Sequence, residues 1–238
     1  MSILLTMKRA AIITAGGIGK RMGGDIPKQF IKIWGRPIIL HTLEAFDASA
    51  SIDLIVVTSP SAWLEETRNL IASAELSKDW FVVEGGERRQ DSVANGVYAL
   101  PSDVEVVVIH DAVRPFVETR LIDMCVEIAL SEGACIAAIP VVDTIKVSHG
   151  GVYIDETPDR SKLWHAQTPQ AFRAHLLRRA IDEARRLGIS ATDEAMLVER
   201  LGAKVRIIMG SPKNIKITVP WDIDIAQAIM GDEGCLSE

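Results

Sequence analysis

Short apolar runs, most of them rich in β-branched residues, recur along the chain, and stretches with helical spacing follow them. The predicted strands are Ala10–Thr14, Leu54–Thr58, Trp80–Val83, Val104–His110 and Cys135–Val142. The predicted helices are Ile38–Phe46, Ala62–Ala74, Ser92–Ala99 and Leu121–Glu132. A strand that is apolar on both sides of its pleat must be covered on both sides, and the alternating helices supply that cover. The expected fold is therefore α/β: a Rossmann-like, mostly parallel twisted sheet with helices on both faces.

The rhythm changes between Val141 and Thr157. There Val141–Val147 and Val152–Thr157 flank Ser148-His149-Gly150-Gly151, a β-hairpin signature. Two strands alone are marginal in water, so this hairpin needs a surface to lie on. That surface is either its own domain, toward which the residues lean, or a second subunit. Beyond it the pattern predicts helices over His175–Leu187, Thr192–Leu201 and Asp222–Met230, and strands over Val205–Met209 and Ile215–Thr218. Thr192 is placed at a helix cap with acids in the first turn behind it.

Composition narrows the class. With 238 residues, 48% apolar and 24% charged, the chain can build one sizeable core, so a single domain over 1–238 is expected. A net charge of -6 argues against a broad nucleic-acid surface but leaves room for a local cationic site. Cys125, Cys135 and Cys235 match no metal or redox spacing, and so sparse a set fits reduced intracellular thiols. Cys125 and Cys135 sit in apolar company and read as buried fillers. The opening MSILLTMKRA is too short and too weakly apolar for a signal peptide, and no apolar run approaches membrane-spanning length. A cytoplasmic protein is expected, with Met7 an alternative start to Met1.

The richest segment runs from Thr14 to Lys28, directly after the first strand. In open α/β sheets ligands bind where strands end at their carboxyl edge. Gly16, Gly17 and Gly19 allow backbone N–H groups to approach phosphate oxygens, and Lys20, Arg21 and Lys28 add cations. A Walker loop requires Ser or Thr after Gly-Lys, but Arg21 follows Gly19-Lys20; the dinucleotide fingerprint requires a third glycine where Met22 stands. Five glycines between positions 16 and 24 each cost about 0.5–1 kcal/mol in regular structure, so a ligand should require them. The loop is read as a nucleoside triphosphate cradle.

Other constellations are weaker alone. His110-Asp111-Ala112-Val113-Arg114 follows the strongest strand; Asp111 can hold Mg²⁺ and Arg114 can fork onto phosphate, or the two can simply pair with each other. Gly85-Gly86-Glu87 joins a strand to a helix, with Ser92 available as a helix cap. In Asn214–Thr218, Lys216 and Thr218 share one face. The histidines do not cluster with cysteines or acids at metal spacing, and no Gly-x-Ser-x-Gly elbow is present.

Taken in order, these segments resemble the sugar-phosphate cytidylyltransferases. The residues that carry the resemblance are Ala15–Gly23, Pro27–Phe30, His41–Glu44, Gly85-Gly86, Asp91-Ser92, His110–Pro115, Asp143–Lys146, Leu163–Pro169, Thr192–Glu194 and Asn214–Thr218. Thr192–Glu194 and Arg160 resemble the branch that accepts 2-C-methyl-D-erythritol 4-phosphate. Thr14–Gly17 and Pro60 with Trp63 resemble the branch that accepts ribitol 5-phosphate. The resemblance implies a nucleotide-diphospho-sugar transferase type of fold and transfer of a cytidylyl group from CTP to the polyol phosphate with Mg²⁺. Arg21, Lys28, Arg160 and Lys216 are the implied catalytic cations. Ala15, Gly16, Gly86, Glu87 and Ser92 are the implied nucleotide contacts, with Gly17 and Gly19 wrapping the phosphates. Thr168, Thr192, Lys216 and Thr218 would meet the polyol phosphate. Asp111, Arg114 and Thr144 would join them from the other subunit of a homodimer whose arm, at about 141–162, swaps across. That implication favours the second subunit as the hairpin's surface. A nucleotide-binding regulator without catalysis is the different-class alternative, against which the retained cations count.

Overall fold

The computed structural model describes residues 7–17 and 26–235. Seven strands form one sheet: β1 (Lys8–Thr14), β4 (Leu54–Ser59), β5 (Asp79–Glu84), β6 (Val104–Asp111), β7 (Ala134–Pro140), β8 (Trp164–Arg173) and β9 (Arg206–Met209). Their order is β5-β4-β1-β6-β8-β7-β9. The β1–β4, β1–β6, β4–β5 and β7–β9 pairs are parallel, and β8 runs antiparallel to both β6 and β7. A separate ribbon pairs β2 (Lys32–Ile33) with β3 (Arg36–Pro37).

The apolar runs divide between two cores as the two-residue side-chain period requires. Ala11 and Ile13 of β1, Ile55 and Val57 of β4, and Val106 and Val108 of β6 face one layer. There they meet α1 (Ile38–Asp47), α2 (Leu64–Ala72) and α4 (Thr119–Glu132). Ala10, Ile12, Leu54, Val56, Val107 and Ile109 face the other layer. That layer holds α3 (Arg89–Ala99), α5 (Ala174–Leu187) and α6 (Glu194–Arg200). A third, small cluster joins Ile33, Ile38, Val113, Ile217 and Ala226, the last from α7 (Asp222–Cys235). Each large apolar side chain removed from water in these layers contributes about 1.5–3 kcal/mol.

Three expectations change in the structure. β8 was not read as a strand, because Gln167, Thr168, Pro169 and Gln170 look like a loop. Three of these are buried polar residues that hydrogen-bond to the 193–214 segment instead of water. Pro169 falls where the β7–β8 register slips, the position at which a strand tolerates proline. Ile215–Thr218 joins no ladder; Ile217 N–H donates to the Val113 carbonyl at 2.9 Å. The hairpin is reduced to one bridged pair, Val147 with Glu156, plus a turn that Ser148 and Asp155 hold. It lies on no sheet of its own chain, and Val142, Val152, Tyr153 and Ile154 are exposed. Cys125 and Cys135 are buried and free, as their apolar surroundings predicted.

The α3 helix lies close on the sheet at Gly96. A Cβ there would stand 2.9 Å from Ile12 Cγ2 and 3.3 Å from Thr58 Cγ2. Both neighbours are β-branched residues fixed in central strands, so they yield poorly. Gly96→Ala is expected to destabilise the protein by about 1 kcal/mol net: overpacking outweighs the gain in helix propensity. Urea unfolding measures this, and an unchanged or raised midpoint would contradict the tight contact.

Candidate active site

The chain leaves β1 toward β4 and β5 on one side, then returns to β6 on the other. That places a topological switch point between β1 and β6. The two strands run in register to their carboxyl ends, where Thr14 lies opposite Asp111. A cavity of about 420 Å³ opens there, and Gly16, Gly17, Lys28, Gly86, Ser92, Asp111 and Lys216 are among the residues lining it. A larger groove of about 700 Å³ lies near the amino end of β6, between Glu105 and the arginines of α5, and gathers none of the predicted residues.

One wall consists of two glycine segments brought together by Ser92. The Ser92 hydroxyl accepts from the Gly86 N–H at 3.0 Å and lies 3.2 Å from the Arg88 carbonyl. A Cβ on Gly16 would come within 3.0 Å of that hydroxyl, and one on Gly86 within 2.3 Å of Asp91 Cβ. These glycines are there for close approach, leaving backbone exposed along the wall. Ser92 does not cap α3; the helix begins three residues earlier, where the Asp91 carboxylate accepts from the Arg88 backbone N–H at 3.3 Å. Likewise Asp193 rather than Thr192 caps α6, accepting from Met196 N–H. Ala15 is buried behind the wall, its N–H donating to Thr58 and its carbonyl accepting from Gln29.

The opposite wall is electrostatic. Asp111 Oδ1 accepts from Arg89 Nε at 2.9 Å, and Oδ2 lies 3.0 Å from Lys216 Nζ and 3.3 Å from Arg114 Nε. Thr14 Oγ1 is 3.4 Å from Oδ1. Burial alone would raise the Asp111 pKa, but Arg89, Lys216 and Arg114 outweigh it and hold this carboxyl well below the usual carboxylate range. Lys28 reaches the same space from the turn after Pro27, its Nζ donating to the Ile217 carbonyl at 3.2 Å. The cavity is therefore rich in cations around one anchored carboxylate, the field that a polyphosphate requires.

The remaining predicted residues fall in three places. Thr168 is buried beneath Asp111, its hydroxyl accepting from the Asp111 N–H at 3.2 Å. Thr218 sits just outside the cavity, its hydroxyl donating to the Lys216 carbonyl at 3.0 Å, and Thr192 is exposed at the approach to α6. Thr144 and Arg160 stand apart on the exposed arm, where Arg160 donates to the Val142 carbonyl at 2.8 Å. Within one chain Asp111 already meets Lys216 and Arg114, so neither Asp111 nor Arg114 needs a second subunit to reach this cavity. Glu87 is exposed at the rim. Gly19 and Arg21 lie outside the described residues. Among the described residues no group of three or more His, Cys, Asp or Glu is arranged to hold a metal.

A sequence model of the 2-C-methyl-D-erythritol 4-phosphate cytidylyltransferase (IspD) family matches residues 9–232. The chain belongs to the IspD family. It is 42% identical over 227 residues to the 2-C-methyl-D-erythritol 4-phosphate cytidylyltransferase of Geotalea uraniireducens, covering 94% of this chain and 97% of that one. It is 43% identical over 232 residues to the enzyme of that name from Desulforamulus reducens, covering 96% and 98%. Among solved structures it resembles 4-diphosphocytidyl-2C-methyl-D-erythritol synthase from Anaerococcus prevotii, with a TM-score of 0.83 and 29% identity over 94% of this chain and 98% of that one. The 2-C-methyl-D-erythritol 4-phosphate cytidylyltransferase of Thermus thermophilus aligns with a TM-score of 0.76 and 34% identity over the same shares.

Two residues of this IspD member were not singled out from sequence. Arg89 lines the cavity, and buried Glu194 accepts its guanidinium at 2.7 and 3.0 Å. Burial raises the Glu194 pKa, and Arg89 offsets this only in part. The available signal was a pair of adjacent arginines opening α3, one of which points outward to Asp91 while the other must point in.

His110 packs against Phe46 beside Asp111, with ring centroids 5.0 Å apart. Complete burial pushes its pKa from 6.5 down to about 3, so the imidazole is neutral and Nε2–H donates to the Arg114 carbonyl. Between these two values only the unfolded chain takes up the proton. Stability therefore falls as pH drops below about 6.5, by at most about 1.4 kcal/mol per pH unit from this group. His110→Gln, which keeps a donor toward Arg114, is expected to flatten that slope between about pH 6.5 and 5. Urea unfolding at several pH values checks it, and an unchanged slope would contradict a neutral buried His110.

Proposed function

We propose that this IspD family member transfers the cytidylyl group of CTP to 2-C-methyl-D-erythritol 4-phosphate. The products are 4-diphosphocytidyl-2-C-methyl-D-erythritol and pyrophosphate, in non-mevalonate isoprenoid biosynthesis. The observation that carries this reading is the cavity at the β1–β6 switch point, where a glycine wall faces Lys28, Lys216 and the Asp111 cluster. A phosphate oxygen of the polyol phosphate attacks the α-phosphorus in line; one P–O bond forms and the bond to the leaving pyrophosphate breaks. The nucleophile is already anionic at neutral pH, so no general base is needed and the neutral His110 is no loss. Catalysis is then positioning and charge stabilisation.

The exposed backbone near Gly16, Gly17 and Gly86, with Ser92 bracing it, receives the nucleotide, and Glu87 at the rim and Ala15 behind complete that side. Gly19 and Arg21 belong to the same loop and are assigned to the phosphates with Lys28. Lys28 and Arg21 meet charge that grows on the α-phosphate and the leaving group. Lys216, Thr168, Thr192 and Thr218 serve the polyol phosphate, with Asp111 and Arg114 beside them. A Mg²⁺ ion would be held mainly by the nucleotide phosphates, with Asp111 the candidate protein carboxylate beside them. When bound, it would neutralise triphosphate charge.

The assembly proposed is a homodimer in the cytoplasm. Each chain forms one nucleotidyltransferase domain over 1–238, with the arm at about 141–162 carrying Thr144 and Arg160 into the partner's site. Val142, Val152, Tyr153, Ile154 and Trp164, exposed on or beside the arm, support this reading, since large apolar side chains gathered on one protruding segment favour cover by a partner. Among the described residues no helix is long and apolar enough to cross a membrane.

Pyrophosphate release tests the reaction. Release is expected with CTP and methylerythritol phosphate, and much less with ribitol 5-phosphate or with ATP in place of CTP. No release, or a preference for ribitol 5-phosphate, would overturn the assignment. Lys28→Ala and Arg21→Ala should each lower kcat by about 10²-fold or more, the loss typical of one preorganised donor. For the dimer, Lys28→Ala and Arg160→Ala chains are combined. If the site is shared, a verified heterodimer contains one site with both residues intact and regains about half of normal activity by that geometry. No recovery would place Arg160 outside the partner's site.

A further inference from the structure

Asp111 has more cationic partners than one carboxylate needs, and they are not equivalent. Arg114 is anchored elsewhere as well: its Nη1 donates to the Asn214 carbonyl at 2.8 Å and its side chain is only 11% exposed. Arg89 is anchored by Glu194, whose side chain is 1% exposed and whose ion partner among the described residues is Arg89. Lys216 differs from both. Its side chain is 38% exposed, it sits on a segment outside any ladder, and its ion pair is with Asp111 at 3.0 Å. Of the three, Lys216 is the partner able to turn into the cavity.

A lone Asp111–Lys216 pair would resist that movement. A phosphate that drew Lys216 away would leave a buried, charged carboxylate uncompensated, which carries a heavy desolvation cost. Arg89 and Arg114 remove the cost by keeping Asp111 paired throughout. Arg89 can do so only while its guanidinium is held in place, and a buried carboxylate contributed by another helix holds it. Arg89 and Glu194 open α3 and α6, and the contact spans 105 residues of chain.

We infer that Arg89 and Glu194 are positioning residues: Glu194 fixes the Arg89 guanidinium, Arg89 keeps Asp111 paired, and Lys216 can therefore exchange its carboxylate partner for an incoming phosphate. This deepens the proposed reaction and rests on it for the identity of the phosphate. The competing account is a structural salt bridge between two helices. That account places the whole effect of breaking the contact in stability and none in the handling of phosphate.

Arg89→Lys and Glu194→Gln separate the two. Lysine keeps the charge but lacks the fork that reaches Asp111 and Glu194 together. Each variant is expected to raise the KM for methylerythritol phosphate about 10-fold, as loss of an outer-shell partner does at metal sites. Each should also weaken the binding of inorganic phosphate, a stand-in for the polyol phosphate that Lys216 serves, measured by calorimetry without acceptor, by a similar factor. In an Asp111→Asn background the same substitutions should change either quantity by less than about twofold, because no carboxylate is left to hold. Equal effects in both backgrounds would mean that Arg89 touches the phosphate directly, and would overturn the inference. A lowered melting temperature with unchanged KM and inorganic phosphate affinity would overturn it in favour of the structural bridge. Inorganic phosphate binding does not depend on the acceptor. If the wild-type chain proved inactive with methylerythritol phosphate, the reaction would fail while the positioning role was still decided by calorimetry.

Discussion

A buried carboxylate at the end of a central strand is unfavourable unless it is paired, and Asp111 is paired with three cations, two of them drawn from distant parts of the chain. Arg89 comes from the start of α3, Arg114 from the turn after β6, and Lys216 from the segment before α7. The ends of β1 and β6, the nucleotide wall and the late segment are all tied to this one group. Removing the carboxylate would leave three cations facing each other around a cavity. Removing a cation would return the desolvation cost to Asp111. The candidate site and part of the fold's specificity thus share one electrostatic centre.

The glycine wall is set by a steric constraint rather than a charge. Ser92 stands between Gly16 and Gly85, its hydroxyl within 3.0 Å of where a Cβ would lie at either position, so a side chain there would push the two loops apart. The hydroxyl that spaces the loops also satisfies the Gly86 N–H, so the wall is held by packing and hydrogen bonding together. Behind it, Gly96 lets α3 lie against β1 and β4 at a distance that fixes where Ser92 stands. The position of the wall therefore traces back to the absence of a methyl group one turn along the same face of that helix.

Much of this was legible in the residues. The continuous apolar runs of β1, β4 and β6 specified strands covered on both faces, and the structure distributes their alternate residues between two helical layers. The glycine loop after β1 and the His110-Asp111 end of β6 pointed to the carboxyl edge of the sheet, where the cavity opens. β8 was hidden because its buried face is polar: Gln167, Thr168 and Gln170 each hydrogen-bond to partners more than twenty residues away, which no local pattern reveals. The arm carried a hairpin's turn residues but lacks a neighbouring strand in its own chain, so only one bridge forms.

By itself, then, the sequence determined the layering of the core, the edge of the sheet that carries the site, and the kinds of side chain available there. Those follow from short-range periodicity and from residue chemistry, both of which are written locally. The tertiary structure decided that Arg89 and Lys216 join the neighbouring Arg114 at Asp111, that Arg89 rather than Arg88 turns inward, and that Glu194 is its counter-ion. These choices depend on contacts spanning 22 to 105 residues of chain. A carboxylate selects such partners only once folding has removed the water that would otherwise solvate it.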